Sequence, residues 1–292
     1  MTPTLAAGPS LTVPGMSSHE LEPDARATAG QGRLRYLKGG DGPPLVLLHT
    51  VRTQAEHFRH VAPLVMDRYT VYALDLPGMG WSEIVPGASY EEPALREGVK
   101  RLLTQLDLRD VTLLGESLGA VLALTAAADL PDRVRRVVSV NPYDYRGGIA
   151  RTSLLARFII SGVIAPVVGP LLATQEPKPV MRAILSGGLV DPKNLREDYL
   201  DELLAVGRRA SYSVVARGVY RNLRSLAAAR IRYRDVTAPV HIVYGVKDWS
   251  RRSDRAANQR LLPDARFTEI PDVGHFLALE QPRLVAGLLT GA

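Results

Sequence analysis

The 292-residue sequence contains no cysteine. That removes disulfides, thiolate metal sites and cysteine nucleophiles together, and it suits a reducing compartment, so a cytoplasmic location is expected. Lysine is scarce: Lys38, Lys100, Lys178, Lys193 and Lys247 are the whole set, so the formal net charge of +6 rests on arginine. The arginines cluster at 133–136, 208–209, 232–234 and 251–255, mostly beside acids and far apart in sequence. Such spacing predicts a solvated, partly paired surface. No zinc-finger, RRM or helix-turn-helix spacing accompanies it, so nucleic acid is not an expected partner. A long apolar run is also missing. The richest stretch, 158–173, is short for a bilayer crossing and is interrupted by Pro166, Gly169 and Pro170, so no stable membrane span is expected. Residues 1–32 are rich in Pro, Gly, Ala, Ser and Thr without periodicity. They read as a flexible extension, and as a poor signal peptide, since they lack a basic n-region and an unbroken apolar stretch.

What the chain does contain is enough apolar sequence, 46%, for a sizeable core. Short β-branched runs at 44–49, 70–75, 111–115, 134–140, 240–244 and 266–270 alternate with helix-length periodic segments at 55–66, 92–106, 120–128, 252–262 and 276–289. Residues 33–38 predict an earlier antiparallel strand. The alternation predicts an α/β fold: a mostly parallel sheet with helices on both faces, catalytic groups gathering at the carboxyl ends of the strands. Between about 142 and 236 no core strand is evident. Helical segments at 153–164, 178–185, 194–208 and 213–227 fill that interval, an inserted helical cap. The expected organisation is therefore an extension (1–32), core (33–141), cap (142–236) and core (237–292).

One stretch carries chemistry. Gly115-Glu116-Ser117-Leu118-Gly119 lies where an apolar strand runs into a helix. A strand, a sharp turn, a serine and a helix are what give G-x-S-x-G meaning, because the turn needs small neighbours and lifts the serine clear of the sheet. A helix-capping serine is the plainer alternative. Asp248 follows the strand at 240–244, and His275 follows the strand at 266–270, so the chain order is Ser117, Asp248, His275.

That order resembles the α/β-hydrolase fold superfamily, in its serine-nucleophile branch with a helical cap. The likeness extends from about residue 32 to residue 289. Leu45-Val-Leu-Leu-His49 is similar to the strand ending in that family's His-Gly turn, and Asp75-Leu-Pro-Gly78-Met-Gly80-Trp-Ser82 to its Asp-x-x-Gly-x-Gly-x-Ser segment. The resemblance implies an eight-stranded type of sheet, no cofactor, and a catalytic triad of Ser117 as nucleophile, His275 as general base and Asp248 as the acid orienting it. Asp144 is the competing acid, and Asp75 fits a role in fixing loops at its own strand end. The oxyanion hole would use the backbone N–H groups of Val51 and Leu118. Thr50 stands where the family's glycine is usual. A β-branched residue there has fewer backbone options, which bears on the Val51 donor.

The implied reaction is hydrolysis of an ester, thioester or lactone of an apolar small molecule through an acyl-enzyme, with carbon–carbon cleavage open to the same triad. Haloalkane and epoxide chemistry is disfavoured, because relatives that perform it carry an aspartate where this chain has Ser117. The alternatives are an acyltransferase or cyclising enzyme, and a ligand-binding receptor with a retained triad. Arg52 could hold a substrate carboxylate or phosphate, or could pair with Asp75, Glu83 or a cap acid. Trp81, Tyr143 and Phe276 are expected to line a substrate pocket, with Met79 and Tyr145 as further candidates. His57 and His60 read as surface residues, and nothing suggests a metal site.

Overall fold

The computed structural model describes residues 12–23, 31–151, 154–167, 169–174 and 177–291. Its strands are β1 (Met16–Leu21), β2 (Leu34–Gly39), β3 (Pro44–Leu48), β4 (Thr70–Leu74), β5 (Val111–Glu116), β6 (Val134–Val140), β7 (Val240–Gly245) and β8 (Arg266–Ile270). They form one sheet in the order β1-β2-β4-β3-β5-β6-β7-β8. The β1–β2 and β2–β4 pairs are antiparallel, and every pair from β4 onward is parallel. The central strands are predominantly apolar because helices cover both faces: every residue of β5 and β7 is buried. The edge strand β8 is only half-buried.

Helices α1 (Glu92–Gln105) and α2 (Leu118–Asp129) pack in one core layer, and α8 (Arg252–Leu261), α9 (Leu277–Glu280) and α10 (Pro282–Thr290) complete the α/β framework. Between β6 and β7 lie α3 (Leu154–Ile164), α4 (Gly169–Thr174), α5 (Lys178–Ser186), α6 (Glu197–Gly207) and α7 (Tyr212–Ala229), the inserted helical cap. A third apolar cluster joins Met181, Leu185, Tyr199 and Leu203 of the cap to Phe276 and Leu279 of the core. The cap therefore sits on the loop that carries His275. Among the described residues no helix is long and apolar enough to cross a membrane.

Three expectations are corrected. Residues 16–21, read as part of a flexible extension, form the outer strand β1; residues 1–11 and 24–30 of that extension lie outside the described residues. β1 is mostly exposed and owes its order to the ladder with β2, from Met16 opposite Gly39 to Leu21 opposite Leu34, not to an apolar period. The helix expected at 55–66 is two short 3₁₀ turns, Ala55–Phe58 and Ala62–Leu64, the second with Pro63 in its first turn. The helix expected at 276–289 is split into α9 and α10, because Pro282 can begin a helix but cannot continue one.

Candidate active site

Ser117 lies between β5 and α2 with φ 58° and ψ −113°, a conformation an L-residue adopts only under constraint. The constraint is packing. A Cβ on Gly115 would stand 2.0 Å from the Gly119 carbonyl oxygen, and one on Gly119 would stand 2.1 Å from that of Leu48. Only glycine allows β5, α2 and the end of β3 to approach this closely. Backbone bonds from Ser117 N–H to the Val140 carbonyl (2.9 Å) and from Tyr143 N–H to the Ser117 carbonyl (3.1 Å) tie the elbow to the end of β6.

The Ser117 hydroxyl donates to His275 Nε2 at 2.8 Å, and His275 Nδ1–H donates to Asp248 Oδ1 at 2.5 Å. The carboxylate fixes the tautomer: with the proton on Nδ1, Nε2 is left to accept. All three residues are buried. Burial by itself would push the Asp248 carboxyl up. The facing His275 ring and the Ser250 hydrogen bonds outweigh it and hold the group below the ordinary aspartate value. Ser250 N–H donates to Asp248 Oδ2 at 2.9 Å.

Two supports of His275 carry no sequence motif. Trp249 stacks on its ring, 3.8 Å between centroids and 14° from parallel, and donates its indole N–H to the Gly187 carbonyl of the cap. Asn141, at φ 46°, donates to the carbonyls of Gly274 (3.0 Å) and His275 (2.9 Å) and accepts from Gly245 N–H (2.8 Å). One carboxamide thus clamps the Asp248 and His275 loops together. The available signal was position: Trp249 adjoins Asp248, and Asn141 ends β6 where a side chain can reach both loops. The cap closes the arrangement through His275 N–H, which donates to the Gly188 carbonyl at 2.7 Å.

The loop after β3 is anchored from below. His49 is buried. Its Nδ1–H donates to the Thr50 carbonyl at 2.8 Å, and Nε2 accepts from Leu76 N–H at 3.0 Å. Burial pushes this imidazole down to about 3, so it stays neutral as a two-ended spacer. Asp75 accepts from the N–H groups of Ala55 (2.7 Å) and Trp81 (2.8 Å) and from Arg35 (3.1 Å), holding loops at its own strand end. Thr50 is not among the residues at positive φ. The left-handed residue of this turn is Arg52, at φ 57°. The strained position of this turn is therefore Arg52, and Val51 borders the cavity beside Ser117. Leu118 is the first residue of α2, so its N–H belongs to the open first turn.

A cavity of about 30 Å³ opens beside Ser117, between Thr50, Val51 and Arg52 on one side and Met181, Leu185 and Tyr220 of the cap on the other. Trp249 and Phe276 complete its apolar wall. Of the residues expected to line a pocket, Arg52 and Phe276 do so. Trp81 instead donates its indole N–H to Glu202 of α6 at 2.9 Å, with the Arg209 guanidinium over its ring. Tyr143 is buried edge-on to His275, its hydroxyl accepting from Ile149 N–H at 3.0 Å. Arg52 lies against the rings of Tyr212 and Tyr220, while Asp75 and Glu83, two acids considered for it, engage Arg35 and Arg33.

His57 is also corrected: it is buried, not a surface residue. Its Nε2–H donates to Glu116, the residue before Ser117, and Tyr199 of α6 donates to its Nδ1 at 3.1 Å. Glu116 accepts Ala278 N–H at 3.0 Å with its other oxygen. The 3₁₀ turn, in place of a helix, is what carries the ring inward.

Residues 45–288 match the Alpha/beta hydrolase family, and the chain belongs to it. Among its relatives is the 2-(acetamidomethylene)succinate hydrolase of Mesorhizobium japonicum, 28% identical over 271 residues, which cover 91% of this chain and 93% of that protein. Haloalkane dehalogenase 2 of Mycobacterium bovis is 25% identical, over 89% of this chain and 91% of that protein. The crystal structure of Cfl2 from Burkholderia cenocepacia shares the fold with a TM-score of 0.79 at 22% identity, over 95% of each chain.

Proposed function

We propose that this chain is a cofactor-independent serine hydrolase that cleaves an ester, thioester or lactone through an acyl-enzyme. The observation that carries the reading is the unbroken hydrogen-bond chain from Ser117 Oγ through His275 to Asp248, with the serine held at a positive-φ elbow. Ser117 Oγ attacks the carbonyl carbon as its proton passes to His275 Nε2. Asp248 stabilises the imidazolium, and the Val51 and Leu118 N–H groups receive the oxyanion. His275 then returns the proton to the leaving group. Water, deprotonated at the same nitrogen, attacks the acyl carbon and frees Ser117. Dehalogenase chemistry is disfavoured despite the dehalogenase relative, because displacing a halide by this route calls for a carboxylate where Ser117 stands.

The test is stoichiometric labelling by a fluorophosphonate, together with turnover of an activated ester. Both are expected in the native chain and absent in Ser117→Ala, with the fold retained. Labelling of the alanine variant would overturn the reading. An inert but folded native chain would point to a binding protein, and transfer to an added alcohol in preference to water would point to an acyltransferase.

The substrate's apolar part would rest on Phe276 and Trp249, and Arg52 would receive an anionic group. Its guanidinium borders the cavity, and one relative is named for a succinate derivative, a dicarboxylate. Arg52→Met is expected to slow acidic substrates about ten- to a hundredfold, the loss of one charge-assisted contact, and to leave neutral esters nearly unchanged. Equal losses on both classes with a lowered Tm would make Arg52 a structural residue.

A further inference from the structure

The strands have a second end. Away from Ser117, a cavity of about 520 Å³ opens between the amino ends of β6 and β7, the length of β8 from Arg266 to Ile270, and the side of α10. That volume lies within the roughly 300–1,000 Å³ of small-molecule sites. Its walls divide by chemistry. Val240, Ile270, Leu284 and Leu288 supply an apolar floor, while Arg136, Arg266 and Arg283 stand around it. Among the described residues none of these three arginines has a carboxylate partner within salt-bridge distance, and no acidic side chain lines the cavity.

Arg136 has a structural role: its guanidinium donates to the carbonyls of Leu288 and Leu289 at the end of α10. That role fixes the group in place without neutralising it. Arg266 and Arg283 are exposed. A fourth lining residue reports the local field. His241 is mostly buried and bonded to Thr268 at 2.9 Å, and burial followed by the nearby Arg266 and Arg136 charges pushes it down to about 4. Its ring is therefore neutral near pH 7, a polar group within a positive region. Three guanidiniums without a carboxylate partner, set around an apolar floor, suit a ligand with an anionic head and an apolar tail.

We infer that this groove binds a small anionic amphiphile, a carboxylate or phosphate head held by Arg136, Arg266 and Arg283 with its alkyl tail along Leu284 and Leu288. The site is separate from the Ser117 cavity and does not depend on the reaction assigned there.

The experiment is calorimetric titration of the full chain with decyl phosphate below its micellar concentration. Inorganic phosphate, 1-decanol and phosphatidylglycerol vesicles are measured alongside. Decyl phosphate is expected to bind, and the Arg266→Met/Arg283→Met chain to bind it about tenfold or more weakly, as loss of charge-assisted contacts requires. Turnover of an activated ester should be unchanged in that variant. Should the double variant melt early, the single variants are expected to show about threefold losses each. Equal affinity in native and variant chains would overturn the inference. So would inorganic phosphate or decanol binding as tightly as decyl phosphate, or binding to vesicles alone, which would make the face a membrane-contact surface.

Discussion

Asp144 follows β6 and Asp248 follows β7, neighbouring parallel strands whose carboxyl ends lie side by side. Both carboxyls are buried, yet their surroundings differ. Asp248 faces the His275 ring and one N–H of its own loop, and is held below the ordinary value. Asp144 accepts from Asn258 (2.7 Å), Tyr233 (3.0 Å) and Arg230 (3.1 Å), but its burial dominates and raises it to about 6. Arg230 and Tyr233 lie where the chain returns from the cap, and Asn258 is on α8. One aspartate is bonded to a histidine; the other is bonded to residues at the returning end of the cap and to α8. Burial is common to both, so the partner, not the burial, separates the two roles.

The largest expected effect breaks that comparison at Asp248. Asp248→Asn should lower kcat on an activated ester by about 10³–10⁴-fold, because an amide can present its N–H to Nδ1 and favour the wrong tautomer. The melting temperature should move little. Matched kinetics with Asp144→Asn check it: the Asp144 variant should keep most of its activity, and the reverse ranking would transfer the orienting role to β6.

A second, smaller effect lies between the two loops. Asn141→Ala removes three buried hydrogen bonds, worth about 1 kcal/mol each, and leaves a non-glycine residue at positive φ without the side chain that justified it. Loss of both stability and activity is expected, with a fall of about ten- to a hundredfold in turnover as His275 drifts from Ser117. Calorimetry and kinetics on the same preparation measure both. A variant with a lowered Tm and full turnover would show that the clamp serves only the fold.

This pair of loops also marks how far the residues alone could be read. Ser117, Asp248 and His275 were legible because each sits at a strand end in a sequence context with its own signature, and the parallel sheet brings such ends together. The choice of Asp248 over Asp144 rested on which strand each followed; Asp248 is the one that lies 2.5 Å from His275 Nδ1. Trp249 and Asn141 were not legible as supports, since stacking and a carboxamide clamp depend on loops meeting that are distant in sequence. His57 was misread because its amphipathic setting suggested a helix, where a 3₁₀ turn points the ring at Glu116. The four cap helices expected from periodicity all form, while α4, only six residues long, is too short to show a period.

The smallest effect sharpens the comparison through pH. Asp144 has a folded value of about 6 against about 3.9 for an unfolded aspartate, so between those values the folded chain binds more protons than the unfolded one. Its contribution to stability is then full below about pH 4, declines as pH rises and is gone above about pH 6. Asp248, held below the ordinary value, acts the other way: its contribution is present above the unfolded value and lost as pH falls. Asp144→Asn cannot titrate. Relative to that variant, the native chain should therefore gain stability as pH is lowered from 6 to 4. The amide also sets a donor against Arg230, so the variant should melt a few degrees lower at pH 4, with a smaller gap at pH 7. Urea unfolding of both chains at pH 4, 5, 6 and 7 measures the difference. A gap that widens toward neutral pH would mean that Arg230 and the two neutral donors keep Asp144 ionised throughout. The two aspartates would then differ in what they hold and not in how they titrate.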